Sequence, residues 1–123
     1  MEKPLHLETA DEIARQLGGC GKLNLLTGAN SFLAHNEARG ALSFKLPKTA
    51  AGMPNYVKIT LEDSDTYTIY TCRIRAGRVT NQKKETDIYA EDLIKYLEKE
   101  TGLYFTLFSA SENEKLAAIM GGR

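Results

Sequence analysis

The chain has 123 residues, of which 42% are hydrophobic and 26% are charged, and its formal net charge at pH 7 is zero. This length suits one domain with its own core, and the composition excludes a wholly disordered chain. No apolar run approaches the roughly 18 to 20 residues of a membrane-spanning helix, and the N-terminus lacks the apolar segment of a secretory signal, so we expect a cytoplasmic protein.

The N-terminal part of the sequence predicts a flexible lead over residues 1–8, followed by a single domain over residues 9–123. Thr9 and Glu12 have the spacing of a capping box, in which both side chains bond amides at the start of a helix. An apolar stripe then predicts a short helix over residues 10–17: Ala10, Ile13, Ala14 and Leu17.

The glycine-rich stretch over residues 18–22 has only a partial likeness to a phosphate-binding loop. That loop needs Ser or Thr after its lysine, and it leads from a strand into a helix. Here Leu23 follows Lys22, and the predicted order is helix and then strand. These glycines therefore predict a helix end and a turn.

The middle of the chain alternates apolar and polar residues with the period of half-buried strands. Extended segments are predicted over residues 22–27, 31–35, 42–46, 56–61 and 67–75, with a weak polar edge strand over 78–86. In the segment 67–75, Tyr67 and Ile69 have the opposite parity from Tyr70, Cys72 and Ile74. Either a β-bulge near Ile69 and Tyr70 shifts the phase, or both faces of this strand are partly covered.

The C-terminal part of the sequence predicts two helices. The first covers residues 90–101, where Gly102 is placed for a left-handed C-cap. An apolar, extended run over residues 103–108 leads to a last helix over residues 112–120. We therefore expect an α+β, two-layer fold: an antiparallel β-meander of four to five strands with helices packed on one face, in the order α-β-β-β-β-(β)-α-α.

Basic residues are concentrated in the predicted sheet. Residues 39–84 hold nine basic and three acidic residues, a net charge of +6, and both flanks are acidic. Cations of this kind could contact a phosphate backbone and a tyrosine could stack on a base. The alternative is that the charges only solvate the wet face of a sheet. The predicted binding face consists of Lys45, Lys58, Arg73, Arg75, Arg78, Lys83, Lys84 and Tyr56.

Patterns for catalysis or metal binding are sparse. Neither His6 nor His35 has further ligands at metal-binding spacing, and Cys20 and Cys72 are predicted to be free thiols. A nucleophilic pair of Cys20 with His35 would require the fold to bring the two together. We therefore expect no enzyme activity, no cofactor and no metal.

The order of helix, meander and helix is partly similar to that of a double-stranded RNA-binding domain. Such domains carry basic residues at the start of their last helix. Glu91 and Asp92 occupy that position here, which counts against the similarity.

Several tracts resemble a group of small uncharacterised proteins encoded by bacteriophages, prophages and other mobile elements. The tail from residue 105 differs from the shorter members of that group. The resemblance implies an origin in a mobile element, and therefore a bacterial host cell, and it brings no catalytic residues. The similar tracts are residues 9–19 (TADEIARQLGG), 26–32 (LTGANSF), 42–47 (LSFKLP), 55–61 (NYVKITL), and 89–90 (YA) leading to 101–104 (TGLY).

Two functions are expected from these observations. The first is a non-catalytic binding protein of a phage or mobile element that acts by contact with a host or phage protein. Its most concrete form is an inhibitor of a host nucleic-acid-targeting defence system, as anti-CRISPR proteins are. The alternative is a nucleic-acid-binding protein that uses the basic open face of its sheet. The sequence leaves open whether the protein is a monomer or a homodimer.

Overall fold

A computed structural model describes residues 4–105 of the chain and confirms the α+β class. The predicted helix over residues 112–120 and the end of the apolar run 103–108 lie outside the described residues. The helices are α1 (Leu5–Gln16), α2 (Cys20–Thr27) and α3 (Leu93–Thr101), the last preceded by a 3-10 turn at Ala90–Asp92. The strands are β1 (Asn30–His35), β2 (Ala41–Lys45), β3 (Tyr56–Leu61), β4 (Tyr67–Arg75) and β5 (Arg78–Ile88).

The five strands form one antiparallel sheet in the order β1-β2-β3-β4-β5. Each strand pairs with the next along the chain, as a meander requires. No helix among residues 4–105 has the length and apolar character needed to cross a membrane.

The start of the domain differs from the prediction. Helix α1 begins at Leu5, so the predicted lead over residues 1–8 is too long. Thr9 lies inside this helix as a buried residue, and the carbonyl of Pro4 accepts the first backbone bonds in place of a capping box. Glu12 pairs with Arg15 instead of turning back to Thr9. Burial of the Thr9 side chain explains why it does not cap a helix at the surface.

The segment predicted as a strand over residues 22–27 belongs to helix α2. Leu23 and Leu25 alternate as they would in a strand, but Leu25 is 79% exposed. The buried positions are Leu23 and Thr27, four residues apart on one helix face. The Thr27 hydroxyl donates to the Leu23 carbonyl at 2.6 Å, and Gly28 ends the helix with φ of 76°. The buried side chains are spaced four residues apart, as in a helix, so the alternation of Leu23 and Leu25 does not indicate a strand here.

Strand β4 has no shift of phase near Ile69 and Tyr70. It pairs with β3 in unbroken register, from Tyr67 opposite Leu61 to Cys72 opposite Tyr56. The other predicted alternative, that both faces of this strand are partly covered, is confirmed, because Ile69 is buried on one face and Cys72 on the other. The register shifts of this strand occur in its pairing with β5, and the extra residues that cause them belong to β5. Asn81 and Asp87 of β5 have positive φ angles of 53° and 59°, which fits bulges in an edge strand.

One face of the sheet packs on the helices and forms the core. Phe44 lies at its centre, with ring centroids 5.7 Å from Phe32 and 6.4 Å from Phe105. The cluster also includes Ile13 from α1 and Leu97 from α3. We call this side the helix face. The opposite side, on which no helix of the described residues packs, is called the open face.

Candidate functional site

The eight residues of the predicted binding face divide between the two faces of the sheet. Cross-strand pairing places one group on the open face: Lys45, Tyr56, Lys58 and Lys84. The other four lie on the helix face: Arg73, Arg75, Arg78 and Lys83. This follows from the pairs that β4 and β5 form, which are Arg73 with Thr80, Arg75 with Arg78, and Thr71 with Lys83.

The prediction of one shared face is therefore wrong. Its cause is the parity of β4, in which Tyr67, Ile69 and Thr71 face the core. With no phase shift, the odd positions Arg73 and Arg75 follow them on the helix face, and the even positions Tyr70 and Cys72 lie on the open face.

Arg73, Arg75 and Arg78, which we call the hairpin arginines, lie together at the end of the β4–β5 hairpin. With Ala76 and Thr80 they line a wide concavity of about 520 Å³. A tight turn with positive φ at Ala76 and Gly77 brings the two strands together. Within residues 4–105, no carboxylate forms an ion pair with any of the three.

Arg73 is held by the loop between β2 and β3. Its Nη1 donates to the Met53 carbonyl at 2.7 Å and to the Ala50 carbonyl at 3.3 Å. The Asn81 side chain also donates to the Gly52 carbonyl of this loop, at 3.3 Å. Neutral carbonyls orient the guanidinium without compensating its charge, and a guanidinium has five N–H donors, so donors remain for a ligand.

Two other cations of the predicted site are paired with carboxylates. Lys58 Nζ donates to both oxygens of Glu37, at 2.7 and 2.9 Å, and Lys83 Nζ donates to Glu100 at 2.7 Å. These bonds lower the pKa of the Glu37 carboxyl and raise the pKa of the Lys83 amine. Lys45 and Lys84, by contrast, have no ion pair with any described residue.

A pair of tyrosines occupies the centre of the open face. The rings of Tyr56 and Tyr70 meet edge to face, with centroids 6.3 Å apart. The Tyr70 hydroxyl donates to Gln82 of β5 at 2.9 Å, and partial burial raises the pKa of that hydroxyl. Nearer the hairpin end, Ile74 and Val79 pair across the strands and are 37% and 46% exposed.

A concavity of about 310 Å³, which we call the open-face hollow, lies beside Tyr70. Thr60 and Thr68, which pair across β3 and β4, lie in it, and neither hydroxyl has a hydrogen-bond partner among residues 4–105. The lining combines cations, carboxylates and one aromatic ring. It consists of Glu37, Ala38, Lys58, Thr60, Glu62, Thr68, Tyr70 and Lys84.

Neither a family model, nor a curated protein, nor a solved structure matches the chain.

Cys20 and His35 form no hydrogen bond with each other, so the structure does not contain the nucleophilic pair that the sequence left open. The His35 Nε2 hydrogen-bonds the Ser43 hydroxyl at 2.7 Å, while Cys20 lines a groove with residues of α1. Burial raises the pKa of the Cys20 thiol, whereas a nucleophilic cysteine needs a lowered one. Residues 4–105 contain no group of three or more His, Cys, Asp or Glu side chains that could hold a metal ion.

Two acidic residues of the site were missed by the sequence analysis. Glu37 lies in the turn between β1 and β2, and Glu62 follows the end of β3. Both reach the hollow because these two turns lie at the same end of the meander. Pairing of adjacent antiparallel strands was the signal that could have found them, since it places the end of β3 beside the start of β2.

Proposed function

We propose that this chain is a non-catalytic nucleic-acid-binding protein whose hairpin arginines contact the phosphate backbone. The supporting observation is that three guanidinium groups border one concavity and have no carboxylate partner among residues 4–105. Like charges held close together repel, and an anionic ligand relieves that repulsion. Guanidinium groups also match the geometry of phosphate oxygens and bind them with two parallel hydrogen bonds.

The open face adds features that suit the same ligand. Lys45 and Lys84 extend the positive charge beyond the hairpin. Both side chains are exposed, and neither forms an ion pair with a described residue. The rings of Tyr56 and Tyr70 lie between them on adjacent strands. Proteins that bind single strands combine cations along the backbone with aromatic rings on which bases stack.

A protein partner is the second candidate, and the exposed apolar side chains of the open face favour it. Leu33 is 51% exposed, and Ile74 and Val79 form an exposed cross-strand pair. Aromatic residues and arginine are enriched at protein interfaces, and this surface has both nearby. With the phage or mobile-element origin that the sequence resemblance implies, this candidate is an inhibitor of a host defence system.

A salt titration of binding to labelled DNA tests the first proposal against the second. The informative variant is Arg75→Ala with Arg78→Ala, because Arg73 also supports the β2–β3 loop. A matched control removes two exposed cations elsewhere, Lys22→Ala with Lys95→Ala. Binding that falls in the hairpin variant but not in the control supports the proposal. Equal binding by both variants and the unaltered protein contradicts it.

A further inference from the structure

We propose that the open-face hollow receives one base of a single-stranded nucleic acid, with Tyr70 as its stacking surface. This inference rests on the proposed function and adds to it a second contact site and the type of strand. The observation behind it is the mixed chemistry of the hollow, which differs from that of the hairpin arginines.

The lining of the hollow suits a base better than it suits a phosphate group. The charged side chains of the hollow are two carboxylates and two lysine ammonium groups, so the hollow has no net formal charge to attract a phosphate. The edges of a base carry hydrogen-bond donors as well as acceptors. The hollow can satisfy both, with lysine ammonium groups as donors, carboxylates as acceptors and two unbonded threonine hydroxyls that can act as either.

The ring of Tyr70 supplies the apolar part of the site. It is partly exposed and lines the hollow, and its hydroxyl is fixed by Gln82. Stacking on an aromatic ring is available to every base, because each has a flat π-face. A base can reach this ring only if it is unpaired or is extruded from a duplex, which requires unstacking energy. The hollow therefore favours a single strand.

The route from the hairpin arginines, which lie on the helix face, to the hollow turns around the hairpin end and then follows β4 along the open face. Tyr70 lies five residues before Arg75 in this strand, which corresponds to roughly 17 Å. Lys45 lies one strand beyond Tyr56 on this face, and Lys84 lies opposite Tyr70 on β5. A flexible strand that turns around the hairpin end would thus meet cations on both sides of its path.

The test compares single-stranded and duplex DNA of about 16 nucleotides, a length near the upper end of single-strand site sizes. Affinities are measured by fluorescence anisotropy for the unaltered protein, for Tyr70→Leu and for Tyr70→Phe. We expect Tyr70→Leu to weaken single-strand binding about fivefold or more and to leave duplex binding unchanged, because only stacking is lost. Tyr70→Phe keeps the ring and should bind the single strand within about twofold of the unaltered protein.

Glu62→Ala is a second variant, at a residue outside the strands. Whether it raises or lowers the affinity for an oligonucleotide distinguishes two possible roles of Glu62. If Glu62 only lies near a polyanion, its removal strengthens binding to every oligonucleotide. If it accepts a hydrogen bond from a base amino group, its removal weakens binding to oligo-cytosine. We expect weaker binding to oligo-cytosine, and stronger binding would overturn the inference.

The outcomes separate this inference from the proposed function. If Tyr70→Leu leaves the single-strand affinity unchanged while Arg75→Ala with Arg78→Ala lowers it, the hollow does not bind a base and only the phosphate contacts are supported. A loss of single-strand and duplex binding by the same factor in Tyr70→Leu also overturns the role of the hollow. If the unaltered protein binds no oligonucleotide, this inference and the proposed function are both overturned, and the candidate that remains is binding to a protein partner.

Discussion

Lys58 on β3 donates to both carboxylate oxygens of Glu37, which lies in the turn between β1 and β2, at 2.7 and 2.9 Å. This bidentate pair joins a central strand to the turn beside it. It also neutralises a cation at the middle of the open face, where the sequence predicts positive charge. The hairpin end, by contrast, holds three cations without an ion pair among residues 4–105: Arg73, Arg75 and Arg78.

The Glu37–Lys58 pair predicts a lowered pKa that depends on the lysine. The hydrogen bond from Lys58 holds the Glu37 pKa below its ordinary value of 4.5. Lys58→Met keeps an unbranched side chain, removes the charge, and should return that pKa towards 4.5. A side-chain NMR titration of the Glu37 carboxyl measures both values. The same midpoint in both proteins would show that the pair does not form in solution.

The same pair has a consequence for stability against pH. Because the folded-state pKa of Glu37 is lower than its unfolded value, the pair stabilises the fold above the unfolded pKa, and this contribution is lost as pH falls through the folded pKa. Thermal unfolding of Lys58→Met should therefore show a weaker decline between neutral and acidic pH. The effect is small, since about half of the Glu37 side chain (49%) is exposed to solvent, which screens the pair.

Gly40 should be the least replaceable glycine that the structure describes. Its φ is 125°, and an added Cβ would lie 2.6 Å from the Thr9 Cβ and 3.1 Å from the His6 backbone. Helix α1 passes directly over this position, so Gly40→Ala must displace the helix as well as strain the turn. We expect a loss of about 2 to 4 kcal/mol in the free energy of unfolding, measured by denaturant titration.

Gly52→Ala is the matched control for this prediction. Gly52 also has a positive φ, of 84°, but an added Cβ would meet no atom within 4 Å. Backbone strain alone then costs about 1 kcal/mol. Equal losses in the two variants would contradict the close packing of α1 on the turn.

Phe105 should contribute to the core although it follows the last described helix. Its side chain is fully buried against Phe44, and its amide donates to Glu98 at 3.0 Å. Phe105→Ala is expected to lower the free energy of unfolding by about 3 to 5 kcal/mol. Tyr104→Ala, at an exposed neighbour, should change it by less than about 0.5 kcal/mol. A loss of comparable size in both variants would contradict the packing of Phe105.

Local patterns in the sequence were sufficient to predict most of the elements. Alternation predicts β2 and β3 to within a residue or two, and an apolar stripe ended by Gly102 predicts α3, because these signals are short-range. Helix α2 was mistaken for a strand because Leu23 and Leu25 alternate over a segment too short for a helical stripe to stand out. Only tertiary burial of Thr27 decides between them.

The site was less predictable than the fold. Its residue types were found, but their division between two faces depends on the phase of β4, which packing of Tyr67 and Ile69 on the core decides. The compensation of Lys58 by Glu37 joins residues 21 positions apart, and no local pattern reveals it. Pairings of this kind follow from sheet register, which single-sequence alternation leaves undetermined.

The salt dependence of single-stranded DNA binding measures directly whether the hairpin arginines contact phosphates. The logarithm of the binding constant is plotted against the logarithm of salt concentration for the unaltered protein, for Arg75→Ala with Arg78→Ala, and for the Lys22→Ala, Lys95→Ala control. Two lost phosphate contacts should flatten the slope by about 1.4 and weaken binding about tenfold or more at low salt, while the control keeps its slope. An unchanged slope in the hairpin variant would contradict phosphate binding by the hairpin arginines.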